Sequence, residues 1–441
     1  MKLNREQELA ARPDPGITLV IAGAGTGKTS ALIEKAKNLI AGGAVAPENM
    51  LILTFSRKAA DEIGERLVAR VGTAAEGVVS GTFHSFCFRL IREHRAGGRA
   101  PGIIDQEEAD RVIDTLIRAR LDEFRGLPVP LVRQLLPGGP RKVRDTEEKL
   151  EALGLRRAID DLNFEYRRYK AAGNLMDFGD LMEEAIGILE RDTAFRDLTA
   201  QRYRYLLVDE FQDTSEDNFR LLKLLLPGGR PNLFAVGDDW QSIYGFRNAR
   251  VEYLVNMKKY FSGVRTIVLR TNYRSRREIV DISSRFISKN RFRTSKKLVS
   301  HAGPGGSVRA FTVASRQAET DLIAGLLAGF VSDTAVLYRN NWQGEYIKEK
   351  LGRVCGDAGP RFMTMHASKG LEFGTVIIAG VSDRVIPDRS SDLEEERRLF
   401  YVALTRAKRN LFLVYHADEK GELPLFAREL GVRPVPFSGA F

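Results

Sequence analysis

The sequence predicts an α/β protein with two parallel sheets and a helical insertion in the first. Three observations carry that prediction. Short apolar runs alternate with helical patterns towards both ends of the 441-residue chain; a glycine-rich turn ending in Lys-Thr joins the first run to a helix; and the stretch from about Phe88 to Ala172 holds helical patterns with almost no strands. Apolar runs without polar alternation suit strands covered on both faces, and parallel neighbours need a crossover helix between them.

Taken in order, ITLVIAG leads to a helix from Thr29, NMLILTF to AADEIGERL, and YLLVDE to NFRLLKLLL, with NLFAVGD and TIVLR as further strands. The pattern returns in VRAFTV, DTAVLYR, RFMTM, GTVIIAG and NLFLVY, which predict the second sheet. Between them, EEADRVIDTLIRARLDEF reads as helix, and LPGGP at 136–140 breaks the helical region. PGGRP at 227–231 and GPGG at 303–306 read as loops. The expected boundaries are 1–88 with 173–262 for the first α/β domain, 89–172 for the insertion, and 263–441 for the second α/β domain.

This length exceeds what one core holds. Hydrophobic residues at 43% and charged residues at 29% exclude a disordered or fibrous chain. Lys plus Arg number 68 against 58 Asp plus Glu, and the net charge of +10 suits a polyanionic partner. Cys87 and Cys355 lie far apart, without the spacing of a disulfide framework or a zinc site. The first residues, MKLNREQELAARPDPG, lack a signal-peptide stretch, and no window approaches 18 consecutive apolar residues. The expectation is a cytoplasmic protein of a reducing compartment, without a membrane partner.

The strongest local signal is Ala22-Gly23-Ala24-Gly25-Thr26-Gly27-Lys28-Thr29-Ser30, set between a strand and a helix as a P-loop must be. Glycines let backbone amides curl towards phosphates, and the helix start adds its positive end. Lys28 would neutralise the β and γ phosphates and Thr29 would ligate magnesium. Ala22 departs from the general pattern, which prefers glycine there. A P-loop needs a carboxylate on a neighbouring strand end, and RYRYLLVDEFQDTS supplies Asp209 for the metal and Glu210 to orient and deprotonate the attacking water. Read alone, Asp-Glu after an apolar run reads equally as an exposed strand end. ATP and Mg2+ are the cofactors expected.

Further motifs follow in a fixed order: LNREQELAA at 3–11, AGAGTGKT, LTFSRKAADEIGERL at 53–67, GTFHSF at 81–86, MDFGDL, VDEFQDT, VGDDWQSIYGFRNA, LRTNYRS, TMHASKGLEF and EEERRLFYVALTRAK. On these the chain resembles, over most of its length, the UvrD/Rep/PcrA type of superfamily 1A DNA helicase. The resemblance implies two RecA-like domains and an ATP-dependent single-stranded DNA translocase and 3′–5′ DNA helicase, with single-stranded or tailed duplex DNA as partner. It implies that Gln7 bonds the adenine edge, Tyr273 stacks on the adenine, and Arg274 and Arg406 reach the γ-phosphate. Gln241 would sense that phosphate and the water, Arg247 would couple the sensor to the acidic pair, and Glu372 would accept from the ribose. Phe55, Tyr244 and Phe246 would stack bases, while Arg57, His84 and His366 would contact backbone or bases; a buried ring or a capped loop histidine is the alternative for these. Phe246 stands where the family usually has Trp, which keeps a π face of smaller area.

RFISKNRFRTSKK at 285–297 holds six basic residues and no acidic one, and reads equally as a phosphate track or a solvated helix end. The chain also departs from the family pattern. Only a connector near 352–361 stands where full-length relatives carry a second insertion domain, the 2B domain, which is expected to be absent. That favours a second reading, a DNA-stimulated ATPase that drives a separate partner such as a nuclease in repair or anti-phage defence. An RNA helicase on the same scaffold is a third.

Overall fold

The apolar runs become the centres of two parallel sheets in the computed structural model, which describes residues 3–95, 100–124, 127–135, 150–226, 231–330, 333–351, 359–389 and 391–437. In chain order, β1 (Ile17–Ile21), β2 (Met50–Thr54) and β3 (Val79–Thr82) are followed by a short pair, β4 (Gly102–Ile103) with β5 (Leu175–Met176). Then β6 (Tyr205–Val208), β7 (Leu233–Gly237) and β8 (Arg265–Val268) complete a six-stranded sheet of order β3-β2-β6-β7-β1-β8. Every residue of β1, β2, β6 and β7 is buried, which is why these strands read as unbroken apolar runs. Successive side chains serve opposite faces: Leu19, Leu51 and Leu53 join one core with Phe86, Leu181 and Leu222, while Val20 and Ile52 join another with Leu32 and Ile63.

The chain then passes through a short parallel pair, β9 (Thr271–Asn272) with β10 (Val299–Ser300). The second sheet is built from β11 (Ser307–Val313), β12 (Thr334–Tyr338), β13 (Arg361–Thr364), β14 (Phe373–Val381), β15 (Ala407–His416) and β16 (Val435–Pro436), in order β13-β12-β14-β15-β11-β16. Its central strand β14 is buried along all nine residues. The helical region holds Gln106–Arg118, Val129–Leu135 and Arg156–Gly173 around a core of its own that includes Ile117, Phe124, Leu155 and Ile159.

Two elements cross the expected boundaries. β8 pairs with β1, so the first sheet extends past residue 262; TIVLR supplies an edge strand, which is only partly buried, unlike the strands inside the sheet. The helix Phe83–His94 crosses residue 88, and Leu90 and Ile91 on it pack into the first-sheet core. The break at 136–140, Cys355, residues 227–230 of the loop at 227–231 and residues 352–358 of the connector lie outside the described residues. Among the described residues no helix is long and apolar enough to cross a membrane.

Candidate nucleotide site between the two lobes

The glycine turn after β1 is shaped by backbone conformations that side chains resist. Gly25 and Gly27 have φ of 67° and 81°, in the left-handed region open to glycine. A Cβ at Gly25 would lie 2.6 Å from the Cβ of Arg274, and one at Gly27 would lie 2.6 Å from Gln7 Nε2, so neighbours crowd the turn closely. The helix Lys28–Ala41 starts at Lys28 with no side-chain cap, leaving its first amides free for an anionic group. Ser30 Oγ accepts from Arg66 Nη2 at 2.9 Å.

Lys28 Nζ stands 3.3 Å from Glu210 Oε2. Burial works against the lysine's charge, but Glu210, Asp238 and Asp209 outweigh it and hold its pKa above the ordinary value. The two carboxylates are driven apart by their surroundings. Burial, then the charge of Glu210, pushes Asp209 upwards, whereas Glu210, although burial opposes its charge, is held below the usual range by Lys28 and Lys369. Asp209 Oδ2 accepts from Thr29 Oγ1 at 2.9 Å, a hydroxyl and carboxylate pair of the hard-oxygen type. Among the described residues there is no cluster of three or more His, Cys, Asp or Glu that could hold a metal ion alone.

The second lobe closes over this turn. Tyr273 N donates to Gly25 O at 2.8 Å and Asn272 Nδ2 to Ala24 O at 2.7 Å. Arg406 is 1% exposed and donates to Val402 O, to Leu371 O and, across the lobes, to Gln241 Oε1 at 3.0 Å. Burial first, then the Arg274 guanidinium, pushes its pKa down from 12.5 to about 9. Gathering Lys28, Arg274 and Arg406 around one glycine turn suits a polyanion.

Other expected site residues are engaged differently. Gln7 is 1% exposed; its Oε1 accepts from Asn4 N and its Nε2 donates to Thr26 O, both at 3.0 Å, so its amide braces the turn. The Tyr273 hydroxyl accepts from Asn4 Nδ2 at 2.8 Å, and its ring lies 4.9 Å from that of His301. Glu372 is paired with Arg274 Nε at 2.7 Å and with Lys408 Nζ at 3.0 Å.

The aromatic candidates fall into two clusters. Tyr244, Phe246 and His366 meet edge to face at 5.8 and 5.7 Å, with the Arg247 guanidinium 5.5 and 5.6 Å from the first two rings. Arg247 thus sits with the aromatics, and the cation that links the VDEFQDT segment to Gln241 is Lys369, which bonds Asp213 and donates to Gln241 O at 3.1 Å. Lys369 also lies 4.4 Å from the Tyr244 ring, so it joins this cluster to the nucleotide side. In the second cluster, Phe55 packs on Phe83 at 5.1 Å and His84 on Phe178 at 4.8 Å, while Arg57 is exposed at the start of its helix.

Sequence reasoning missed Lys369, Gln212 and Lys296. Gln212 is fully buried and wires the two acidic segments together, donating to Glu210 Oε2 at 2.6 Å and accepting from Asp238 N at 2.8 Å. The basic stretch at 285–297 is not simply a solvated end: the helix Arg277–Ile287 stops early, and Lys296 turns inward to pair with Asp238 and Asp239. No periodicity marks such single residues.

Comparison with known proteins matches the UvrD/REP helicase N-terminal domain to residues 3–262 and the UvrD-like helicase C-terminal domain to residues 267–354 and 361–418. The chain belongs to the UvrD-like helicase family. Among its relatives are the ATP-dependent DNA helicase UvrD1 of Mycobacterium tuberculosis (strain ATCC 25618 / H37Rv), 30% identical over 80% of this chain and 48% of the relative, and the ATP-dependent DNA helicase PcrA of Bacillus subtilis (strain 168), 29% identical over 79% and 49%. A probable DNA helicase of Mycoplasma pneumoniae is 30% identical over 93% of this chain and 83% of the relative. The family member described here therefore spans about half the length of UvrD1 and PcrA, and most of the length of the Mycoplasma protein.

Proposed function

We propose that this chain is an ATP-dependent single-stranded DNA translocase and 3′–5′ DNA helicase. The observation that carries the reading is the bond from Arg406 of the second lobe to Gln241 of the first, 3.0 Å long, beside Lys28 and the acidic pair. A nucleotide triphosphate gripped this way draws the lobes together, and phosphate release lets them part. Names given to UvrD1 and PcrA, both ATP-dependent DNA helicases, support the substrate.

In this reading the glycine turn from Ala22 to Ser30 cradles the phosphates, with Lys28, Arg274 and Arg406 meeting the charge that develops on the transferred group. Thr29 and Asp209 hold Mg2+, which neutralises phosphate charge when bound. Glu210, charged because Lys28 stands beside it, orients and deprotonates the attacking water, and Gln241 reports the phosphate to both lobes. Gln7 and Tyr273 position the base, and Glu372 reaches the ribose after exchanging its partners Arg274 and Lys408. Phe55, Arg57, His84, Tyr244, Phe246, Arg247 and His366 line the DNA track. The domains divide as first lobe, helical insertion and second lobe, with the 2B insertion reduced to a connector. Strand displacement on duplexes with a 3′ or a 5′ tail tests this: unwinding from the 3′ tail is expected, and unwinding only from the 5′ tail refutes the polarity.

A second reading is an ATPase that moves on DNA and drives a partner without strong unwinding. It rests on the C-terminal family match, whose two pieces end at 354 and resume at 361. Robust unwinding by the isolated chain would exclude it.

A further inference from the structure

We infer that Lys296 is a positioning residue for ATP hydrolysis, acting through Asp238 to fix which way the Gln241 amide faces. The inference rests on the nucleotide reading above and extends it to a residue that touches no nucleotide. Lys296 Nζ lies 2.5 Å from Asp238 Oδ1, 2.7 Å from Asp239 Oδ1 and 2.8 Å from Ala22 O. The side chains of all three charged residues are 0% exposed. An ammonium has three hydrogens to donate, and these three oxygens take them all. The face of the Trp240 ring, 4.5 Å away, closes the remaining side.

The consequence passes through Asp238. Its second oxygen, Oδ2, accepts from Gln241 Nε2, and Gln241 Oε1 accepts from Arg406 Nη2 at 3.0 Å. A carboxylate offers no hydrogen, so Gln241 must meet it with its NH2 and turn its carbonyl oxygen to Arg406. Lys296 pins one oxygen of Asp238 and so fixes its rotamer, and by holding Ala22 O it ties the same assembly to the glycine turn. Asp239 is held separately by Thr294 N and Thr294 Oγ1, each at 2.6 Å, so the segment carrying Lys296 is anchored at two points. Asp238 and Asp239 follow β7 of the first lobe, while Lys296 follows a helix whose Ile279, Ile282 and Phe286 lie in the second-lobe core.

The test uses the full chain and the pair Asp238→Asn and Lys296→Met. In Asp238→Asn only one oxygen remains at that position, and the two donors now on Oδ1, Lys296 Nζ and Trp240 N, hold it away from Gln241. The asparagine NH2 then faces Gln241, which must turn its own oxygen towards it and its NH2 towards Arg406, placing donor against donor. Turnover at saturating ATP and single-stranded DNA should fall about 10²-fold, the size expected for a misplaced catalytic constellation. KM for ATP and the affinity for a fluorescent ATP analogue should hold. Adding Lys296→Met removes the charged donor and leaves only the longer bond from Trp240 N, so the oxygen can turn to Gln241 and the double variant should recover about tenfold in turnover over Asp238→Asn, a coupling within the range for residues in one network.

A purely structural lysine would make the double variant as slow as Asp238→Asn or slower, and that result overturns the inference, as would Asp238→Asn with wild-type turnover. If Lys296→Met alone does not fold, because it strands two buried carboxylates, the comparison of Asp238→Asn with the double variant still decides. Wild-type chain without DNA-stimulated hydrolysis would remove the parent reading and this one together; hydrolysis in the wild type without rescue in the double variant removes this one alone.

Discussion

Replacing Arg406 with Met should nearly abolish turnover while leaving the fold about as stable as before. An arginine that meets transferring phosphate is worth about 10³ to 10⁵ in rate, which is about 4 to 7 kcal/mol of barrier. Stability follows a different balance. The guanidinium is buried among neutral acceptors and beside Arg274, and the fall of its pKa from 12.5 to about 9 represents on the order of 5 kcal/mol held against the charge. Against this stand its bonds to Val402 O, Leu371 O, Gln241 Oε1 and Thr405 Oγ1, each worth roughly 0.5 to 1.5 kcal/mol. The two sums are of similar size, so methionine of comparable length should shift Tm by no more than about 5 °C. Phosphate release with saturating single-stranded DNA measures turnover, and a melt without nucleotide measures stability. Turnover within about tenfold of wild type would refute the two-lobe site. A fall in Tm beyond about 10 °C would refute the balance and make the loss of activity structural.

Lys28→Ala and Glu210→Gln should both lose hydrolysis, but Glu210→Gln should keep nucleotide affinity because the Thr29–Asp209 pair is untouched; fluorescent-nucleotide titration beside the phosphate assay separates them. Phe246→Ala should weaken single-stranded DNA binding by about 1 to 3 kcal/mol at fixed salt, measured by fluorescence anisotropy, because it removes one stacking ring. His366 should make the fold acid-sensitive: burial first, then Arg339, Lys369 and Arg247, push its pKa from 6.5 to about 4. Between those values the unfolded chain takes up a proton at this ring and the folded chain does not, so stability is full above about pH 6.5 and falls as pH drops towards 4. In pH-dependent denaturant melts His366→Phe should flatten that fall by about 1 to 2 kcal/mol.

What could be read from the chain was what local chemistry writes into consecutive residues. Gly25, Gly27, Lys28 and Thr29 adjoin one another, and their backbone needs exclude most other residues, so the glycine turn was legible without any resemblance. The strands were legible because both faces of each sheet are covered, which removes polar alternation from β1, β2 and β7. The second-lobe half of the site was not local. Arg406 meets Gln241 across 165 residues and Lys369 meets Asp213 across 156, and only the family resemblance led to Arg406. Lys296 was read as part of a charged run because its neighbours in sequence are basic, while its partners lie 57 and 58 residues away. Gln7 too came from the resemblance, and in the fold its amide is engaged at both ends by Asn4 N and Thr26 O.

The small apolar cluster of Ala24, Trp240, Val280, Ile287, Leu298 and Tyr401 draws on both halves of the chain. A fragment cut after Val268 would retain every strand of the first sheet, yet it would bare Ala24 and Trp240 and strip Asp238 and Asp239 of the ammonium paired with both of them. Such halves should prove sticky when made separately and soluble when produced together, so this engine is best expressed, labelled and mutated as one piece.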